Sequence, residues 1–296
     1  MKIYYPSYYK EFKCLADKCS HSCCVGWEIG VDADTMEKYR QLPVSEREEI
    51  LTHIDGEDCI ALSDGRRCPF LNSDGLCRII CEYGDSYTSI ICREHPRFYH
   101  RVGNRVECGI GASCEEACRI ILSSDGWHEF FSVDGVVAPA EETDFDVLSH
   151  RDYIYSIILD NGTYGEKLNK IKAEYELTDV DFSADRWNVF FSELEYLNEE
   201  NRGNFLIVDK SECEELQSCF LRFFAYLIFR HLSVAQSYDG LRARLGFCLL
   251  LLRVLESACR DSRFETLCEA ARIISEEIEY SEDNTAAIIF EFECMV

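Results

Sequence analysis

Eighteen cysteines occur in this 296-residue chain, and twelve of them fall between residues 14 and 118. This crowding constrains the fold more than any other feature. Thiols at such density form disulfides, bind metal, or pack as small apolar side chains. Secreted disulfide scaffolds are short and carry a leader. Here the opening MKIYYPSYYKEFKC has no apolar leader core. At 47% hydrophobic residues the chain can also bury a core without covalent staples. Metal ligation or redox chemistry in a reducing, cytoplasmic setting is the expectation.

The twelve are Cys14, Cys19, Cys23, Cys24, Cys59, Cys68, Cys77, Cys81, Cys92, Cys108, Cys114 and Cys118. They fall in recognisable groups: KCSHSCCVGW over 18–27, CPFLNSDGLC over 68–77, CREHPR over 92–97 and GASCEEAC over 111–118. Thiolate sets gathered from separate loops suit zinc, as Cys₄ or Cys₃His, or iron–sulfur clusters. Cys19/Cys23, Cys77/Cys81 and Cys114/Cys118 are spaced to share a helix face. None continues into CxxxCxxC, because Gly26, Gly84 and Ile121 stand at the third position. The common motif of radical S-adenosylmethionine enzymes is therefore missing, and any cluster must be assembled from distant segments. Adjacent thiols such as Cys23 and Cys24 rarely ligate one metal together. One ligates while the other packs, serves a second site, stays a thiol or, less readily, forms a strained disulfide with its neighbour. His21 and His95 stand beside these groups as candidate ligands, with loop or surface roles the plainer reading. Arg97 is placed to hold an anion or a structural salt bridge.

The later cysteines read differently. Cys213, Cys219, Cys248, Cys259 and Cys268 recur with Leu and Phe at spacings of three and four, the mark of buried helix faces. Cys294 carries no signal.

The fold class expected is mainly α: an irregular Cys-rich metal module over 1–125, a loop or short hairpin over 126–146, and a helical domain over 147–296. Asp64-Gly65 and Asp74-Gly75 mark turns. Within the first part, helices are expected near 34–42, with Asp34 as N-cap, and 113–123, with a Ser113/Glu116 capping box. The later part predicts helices near 147–160, 164–176, 184–200, 212–236, 239–261 and 263–280, and an extended AIIFEFEC tail. Gly109-Ile-Gly111 reads as a turn.

Net charge is −25, of which −19 lies beyond residue 125. Such a surface repels phosphate backbones and anionic lipid, so nucleic acid and membrane are poor partners. No apolar run is long enough to span a bilayer. H-E-x-x-H, P-loop and G-x-S-x-G motifs are missing.

Together, FKCLADKCSHSCCVGWEIGVDADTMEKY, CPFLNSDGLCRI, ICREHPR and GASCEEACRIIL resemble the flagellin lysine-N-methylase (FliB) family. The cysteine module is similar to the zinc- or iron-chelating YkgJ proteins. The likeness is dense over 1–125; beyond it only length and helical pattern agree. The resemblance implies transfer of methyl from S-adenosylmethionine to the ε-amino group of flagellin lysines, with a [4Fe–4S] cluster. It implies metal ligands among Cys14, Cys19, Cys23, Cys24, Cys68, Cys77, Cys92 and Cys114. Eight candidates exceed the four that one cluster uses, so some are structural, redox-active or serve a second metal. Cys81 and Cys118 fall outside the family pattern. The alternative is a zinc- or iron–sulfur-binding electron-transfer or interaction module without methylation activity. Catalytic residues, the S-adenosylmethionine site and the oligomeric state are not legible.

Overall fold

Apolar residues at helical spacing fill most of the chain, and a computed structural model of the protein is accordingly mainly α-helical. It describes residues 2–63, 66–103, 105–135, 145–208 and 213–296. The chain divides into two units. One, here the thiol unit, comprises 13–97 and 114–116; the other, the helical unit, comprises 1–12, 98–113 and 117–296.

The thiol unit is built from short pieces. Helices α1 (Ala33–Arg40), α2 (Val44–Leu51), α3 (Arg78–Tyr83) and α4 (Ile90–Glu94) are joined by loops held through isolated bridges such as Val25 with Arg67 and Leu71 with Cys77. Ile29, Val31, Met36, Tyr39, Ile50 and Phe70 form its apolar core, and Cys68 is buried among them. The N-cap of α1 is Asp32, not Asp34: its carboxylate accepts from Thr35 N at 3.0 Å. The same carboxylate accepts from Ile90 N at 2.8 Å, fixing the start of α4 as well. Two acidic residues stand before this helix, and the one with extended backbone is placed to cap.

The helical unit begins with a four-stranded sheet in the order β2 (Arg97–Val102), β3 (Arg105–Ile110), β1 (Lys2–Pro6) and β4 (Phe130–Asp134). Arg97, the first residue of β2, is counted with the thiol unit. Strand β1 runs parallel to β3, with Ile3 opposite Val106, and antiparallel to β4, with Tyr4 opposite Ser132. This sheet is not apparent in the sequence, because its strands pair across more than a hundred residues. Strand β4 lies in the segment expected as loop or hairpin; residues 136–144 of that segment lie outside the described residues, as does Asp64-Gly65.

Helices α5 (Glu115–Ser123), α6 (Val147–Leu159), α7 (Tyr164–Glu174), α8 (Ala184–Glu193), α9 (Gln217–His231), α10 (Tyr238–Ala258), α11 (Phe264–Ile274) and α12 (Glu282–Glu293) follow. Several start on side-chain caps, from Asp146, Ser183, Ser237 and Ser281, and Thr163 with Glu166 makes a full capping box at α7. Helix α10 is buried almost all round and packs against α9, α11 and α12, as the central helix of a bundle must. Gly246 on it matters: a Cβ there would lie 2.4 Å from the Phe292 ring of α12.

Four expectations are corrected. The AIIFEFEC tail is helical, within α12, because Ile288, Ile289 and Phe292 bury one helix face. Helix α8 stops at Glu193 instead of reaching 200. The capping box at α5 does not form, since Ser113 Oγ is buried without a hydrogen-bond partner. Gly109 lies in β3, where a Cβ would meet the Phe98 and Phe229 rings at 2.4 and 2.8 Å. At Gly111 it would meet Tyr280 Oη at 2.2 Å. Close approach, not a turn, explains both glycines.

Helix α11 passes into one π-helical turn, Ser275–Glu279. This turn presents two buried carboxylates. Glu277 accepts from Leu197 N, Asn198 N and Asn201 Nδ2. Glu279 lies 2.7 Å from His231 Nε2 and 3.5 Å from Arg230 Nε, and accepts from Tyr226 Oη at 3.1 Å. Burial pushes its carboxyl up, but Arg230 and His231 win and hold it at about 2. A second buried pair joins sheet to helix: Arg151 of α6 donates to both Glu107 oxygens, at 2.6 and 2.8 Å.

Candidate metal centre

The eight predicted ligand cysteines all belong to the thiol unit, and the structure sorts them into two neighbourhoods. The larger surrounds Cys24. Its backbone carbonyl accepts from Cys68 N at 2.8 Å, joining the first cysteine segment to the second. Charges on Cys24, Cys68 and Cys77 all act on the Cys92 thiol, and charges on Cys14 and Cys92 act on Cys23. Pairwise charge effects thus link six of the eight.

Each thiol is placed by local structure. Gly26, at φ +88°, turns the chain after Cys23-Cys24 and donates to Arg66 O. Asn72 organises the turn between Cys68 and Cys77: its Oδ1 accepts from Asp74 N and Leu76 N. Gly75 supplies the left-handed residue, at φ +79°, so the expected turn forms. Cys77 then stands at the N-cap of α3, and Cys92 lies in α4, whose start is fixed by Asp32.

The thiols differ in acidity. Cys24 is lowered to about 7, first by a hydrogen bond from the Cys23 thiol and further by Ser22 and the Arg67 guanidinium, against the opposing effect of burial. Cys23 is raised correspondingly, as the donor of that bond. Burial, then neighbouring thiolate charge, pushes Cys68 up to about 11 and Cys92 up to about 12, and raises Cys77. The adjacent cysteines therefore differ: Cys24 is the more acidic, and Cys23 is the donor that favours its anion.

The smaller neighbourhood holds Cys19 and Cys114. Glu115, the first residue of α5, accepts from Ser20 N at 2.8 Å and His21 N at 3.1 Å, and from Cys19 Sγ at 3.6 Å. Burial raises Cys19 to about 11, and the Glu115 and Cys114 charges add to it. The pairing of Cys19 with Cys23 on one helix face is not seen: Cys19 ends a short 3-10 turn, Ala16–Lys18, and the chain beyond is loop. His21 is exposed. His95, which precedes a cis Pro96, packs against Trp27 with ring centroids 6.3 Å apart. Burial and then Arg97 hold its imidazole at about 4, so it is neutral. Arg97 donates to Arg93 O at 3.2 Å. Glu115, Arg67 and Asp32 are the positioning residues that sequence alone did not single out. Their only signal is adjacency, Glu115 to Cys114 and Arg67 to Cys68.

Of the remaining cysteines, Cys81 is exposed on α3, whereas Cys108, Cys118, Cys213, Cys219, Cys248 and Cys259 are buried in the helical unit. Cys268 is half-buried, and its carbonyl accepts from Cys118 Sγ. Core packing is thus the role of most later cysteines, as their helical spacing indicates.

An all-sulfur donor set suits an iron–sulfur cluster or zinc. Burial comes first in raising Cys68, Cys77 and Cys92, which favours their neutral thiols, so only the donor type of the set fits such a group. Among the described residues, no three Cys, His, Asp or Glu side chains lie together at metal-holding distance.

The chain is similar to proteins of bacterial flagellar biosynthesis and lysine methylation. It is 28% identical over 131 residues to the flagellar biosynthetic protein FliU of Salmonella muenchen, a match covering 40% of this chain and 75% of that one. It is 27% identical over 131 residues to the lysine-N-methylases of Salmonella typhimurium (strain LT2) and Salmonella choleraesuis, again over 40% of this chain. The match spans 32% of the length of those two enzymes. No family profile and no solved structure matches. These likenesses bear out the resemblance to the flagellin lysine-N-methylases.

Proposed function

We propose that the chain is a protein lysine N-methyltransferase that moves a methyl group from S-adenosylmethionine to the ε-amino group of flagellin lysines. We further propose that its thiol unit holds a [4Fe–4S] cluster. The observation that carries this reading is the likeness, over 131 residues, to two lysine-N-methylases. The thiol neighbourhood supports the cluster, with Cys24, Cys68, Cys77 and Cys92 as ligands. Cys23 is the hydrogen-bond donor to Cys24, and Cys14 lies beside them. When bound, such a cluster would supply a site able to bind or reduce a sulfonium. The Cys24 thiolate, already formed near neutral pH, offers the first ligand. No helix is long and apolar enough to cross a membrane among the described residues, and we place the reaction in the cytoplasm.

A lysine attacks a methyl sulfonium only as the free amine, so the site must take up its proton or bind it desolvated. The acidic surface favours approach of a lysine-bearing protein.

The test has two arms. The protein is purified without oxygen, and iron, acid-labile sulfide and zinc are measured. It is then incubated with S-adenosylmethionine and flagellin, and lysine peptides are weighed by mass spectrometry. Iron with sulfide, and a gain of one methyl group per modified lysine, are expected. Zinc without sulfide would sink the cluster. An intact cluster with no methylation would favour an electron-transfer or interaction module, a reading consistent with the short span of the match.

A further inference from the structure

Helix α11 borders a cavity of about 380 Å³ within the helical unit. Its volume is in the range of small-ligand pockets. Ala258, the last residue of α10, and Ala270, Ile273 and Ile274 of α11 form its apolar lining. Among the described residues, no aromatic side chain lines it. The polar lining comes from the first half of α11, with Arg263 before it, and from Asn204, which ends the 3-10 turn Glu199–Asn204.

The charges around the cavity balance, with one exception. Arg263 donates to Asp261 Oδ2 at 2.5 Å and to Thr266 Oγ1 at 3.2 Å. Glu269 accepts from Arg272 Nε at 3.0 Å and Nη2 at 2.9 Å. Glu265 stands four residues before Glu269, on the same helix face. Its carboxylate is exposed and, among the described residues, has neither an ion pair nor a hydrogen-bond partner. Asn204 donates to Asn201 Oδ1 at 3.4 Å, which leaves its own side-chain oxygen as an acceptor. A phosphate or carboxylate ligand would meet the Glu265 charge with no unengaged cation in the lining to oppose it. A nucleobase or a quaternary ammonium would lack the aromatic faces that hold such groups. A primary ammonium on an alkyl stem matches the lining. Its stem would lie along Ala270, Ile273 and Ile274, and its three N–H donors would meet Glu265 and Asn204.

We propose that this cavity is a docking site for a lysine side chain of the partner protein. The net charge of −19 beyond residue 125 draws such a partner in, and Glu265 fixes the ammonium at the cavity. That the lysine belongs to a protein substrate rests on the methyl-transfer reading above; the alkylammonium site itself does not.

The experiment uses the full chain, purified without oxygen, with its isoleucine methyl groups labelled for NMR. The probes are acetyl-lysine methylamide, its neutral hydroxynorleucine counterpart and its arginine counterpart. The lysine probe should shift the Ile273 and Ile274 methyl resonances saturably. It should bind about two- to fivefold more tightly than the neutral probe, the scale of an exposed ion pair. Glu265→Gln, at an exposed position, should erase that preference while the neutral probe binds as before. Ala270→Leu fills the apolar lining and should abolish the shifts from both probes. Unmoved isoleucine methyls, equal binding of the lysine and neutral probes, or a preference that survives Glu265→Gln would overturn the site. Tighter binding of the arginine probe would overturn the choice of lysine, since a guanidinium makes a forked contact that an ammonium cannot. If the lysine probe binds as expected but flagellin is not methylated, the site stands and the methyl-transfer reading falls. If flagellin is methylated with the same KM by Glu265→Gln and the unaltered chain, docking here fails and that reading stands.

Discussion

The two units use the same residue type in opposite ways. In the helical unit cysteine is filling: Cys108, Cys248 and Cys259 are fully buried, and burial raises the Cys248 and Cys259 thiols far from ionisation. In the thiol unit several cysteines are exposed or half-buried, and one of them, Cys24, is lowered to about 7. Helical packing closes around thiols that need no charge. Loops pinned by single carboxylates leave thiols where a cation can reach them. Environment, and not residue type, decides the chemistry.

Four measurements sharpen or break this contrast. The largest effect should be on metal content. Cys68→Ser or Cys92→Ser should lose most of the bound iron and sulfide, whereas Cys248→Ser should keep them and lose only stability. Equal metal loss from all three would erase the distinction. Next, Arg151→Met leaves the buried Glu107 carboxylate to Arg105 alone and should cost about 3 kcal/mol in denaturant unfolding, while metal stoichiometry stays unchanged.

Third, Gly111→Ala drives a methyl against Tyr280 and Arg230 and should cost about 1–3 kcal/mol. The smallest effect is a pH dependence of the helical unit. His100 sits at about 4 in the folded chain, below its ordinary 6.5, so the unfolded chain takes up its proton first. Its contribution is complete above pH 6.5 and is lost as pH falls toward 4. Glu279, at about 2 against 4.5, contributes above pH 4.5 and is lost as pH falls through 2. The melting temperature should fall by several degrees from pH 7 to 4, and His100→Phe should flatten the upper part of that fall. An unchanged slope in the variant would remove His100 as the cause.

Much of the helical unit is legible in the sequence because burial on one face imposes a 3.6-residue period: Ile154, Tyr155, Ile157 and Ile158 in α6, or Leu241, Leu245 and Leu252 in α10. The tail was ambiguous for the same reason. A run as short as AIIFEFEC satisfies both periods, and only packing against α10 decides. Strand β1 is illegible locally, since its partners lie a hundred residues away. In the thiol unit the cysteines announce themselves, but their grouping does not. Spacing suggests Cys19 with Cys23; Glu115 instead draws Cys19 toward Cys114. His100 gives no signal at all, because the missing partner of its buried Nε2 exists only in three dimensions.

The Glu115 latch also bears on the order of synthesis. Ser20 and His21 emerge from the ribosome about 95 residues before the carboxylate that holds their amides. At ordinary elongation rates that is roughly 5–20 s of waiting. During that interval the first thiol segment cannot complete its native contacts. Metal loading is therefore timed most safely after residue 116 is made, and a chain truncated just before Glu115 should hold its cysteines but not their arrangement.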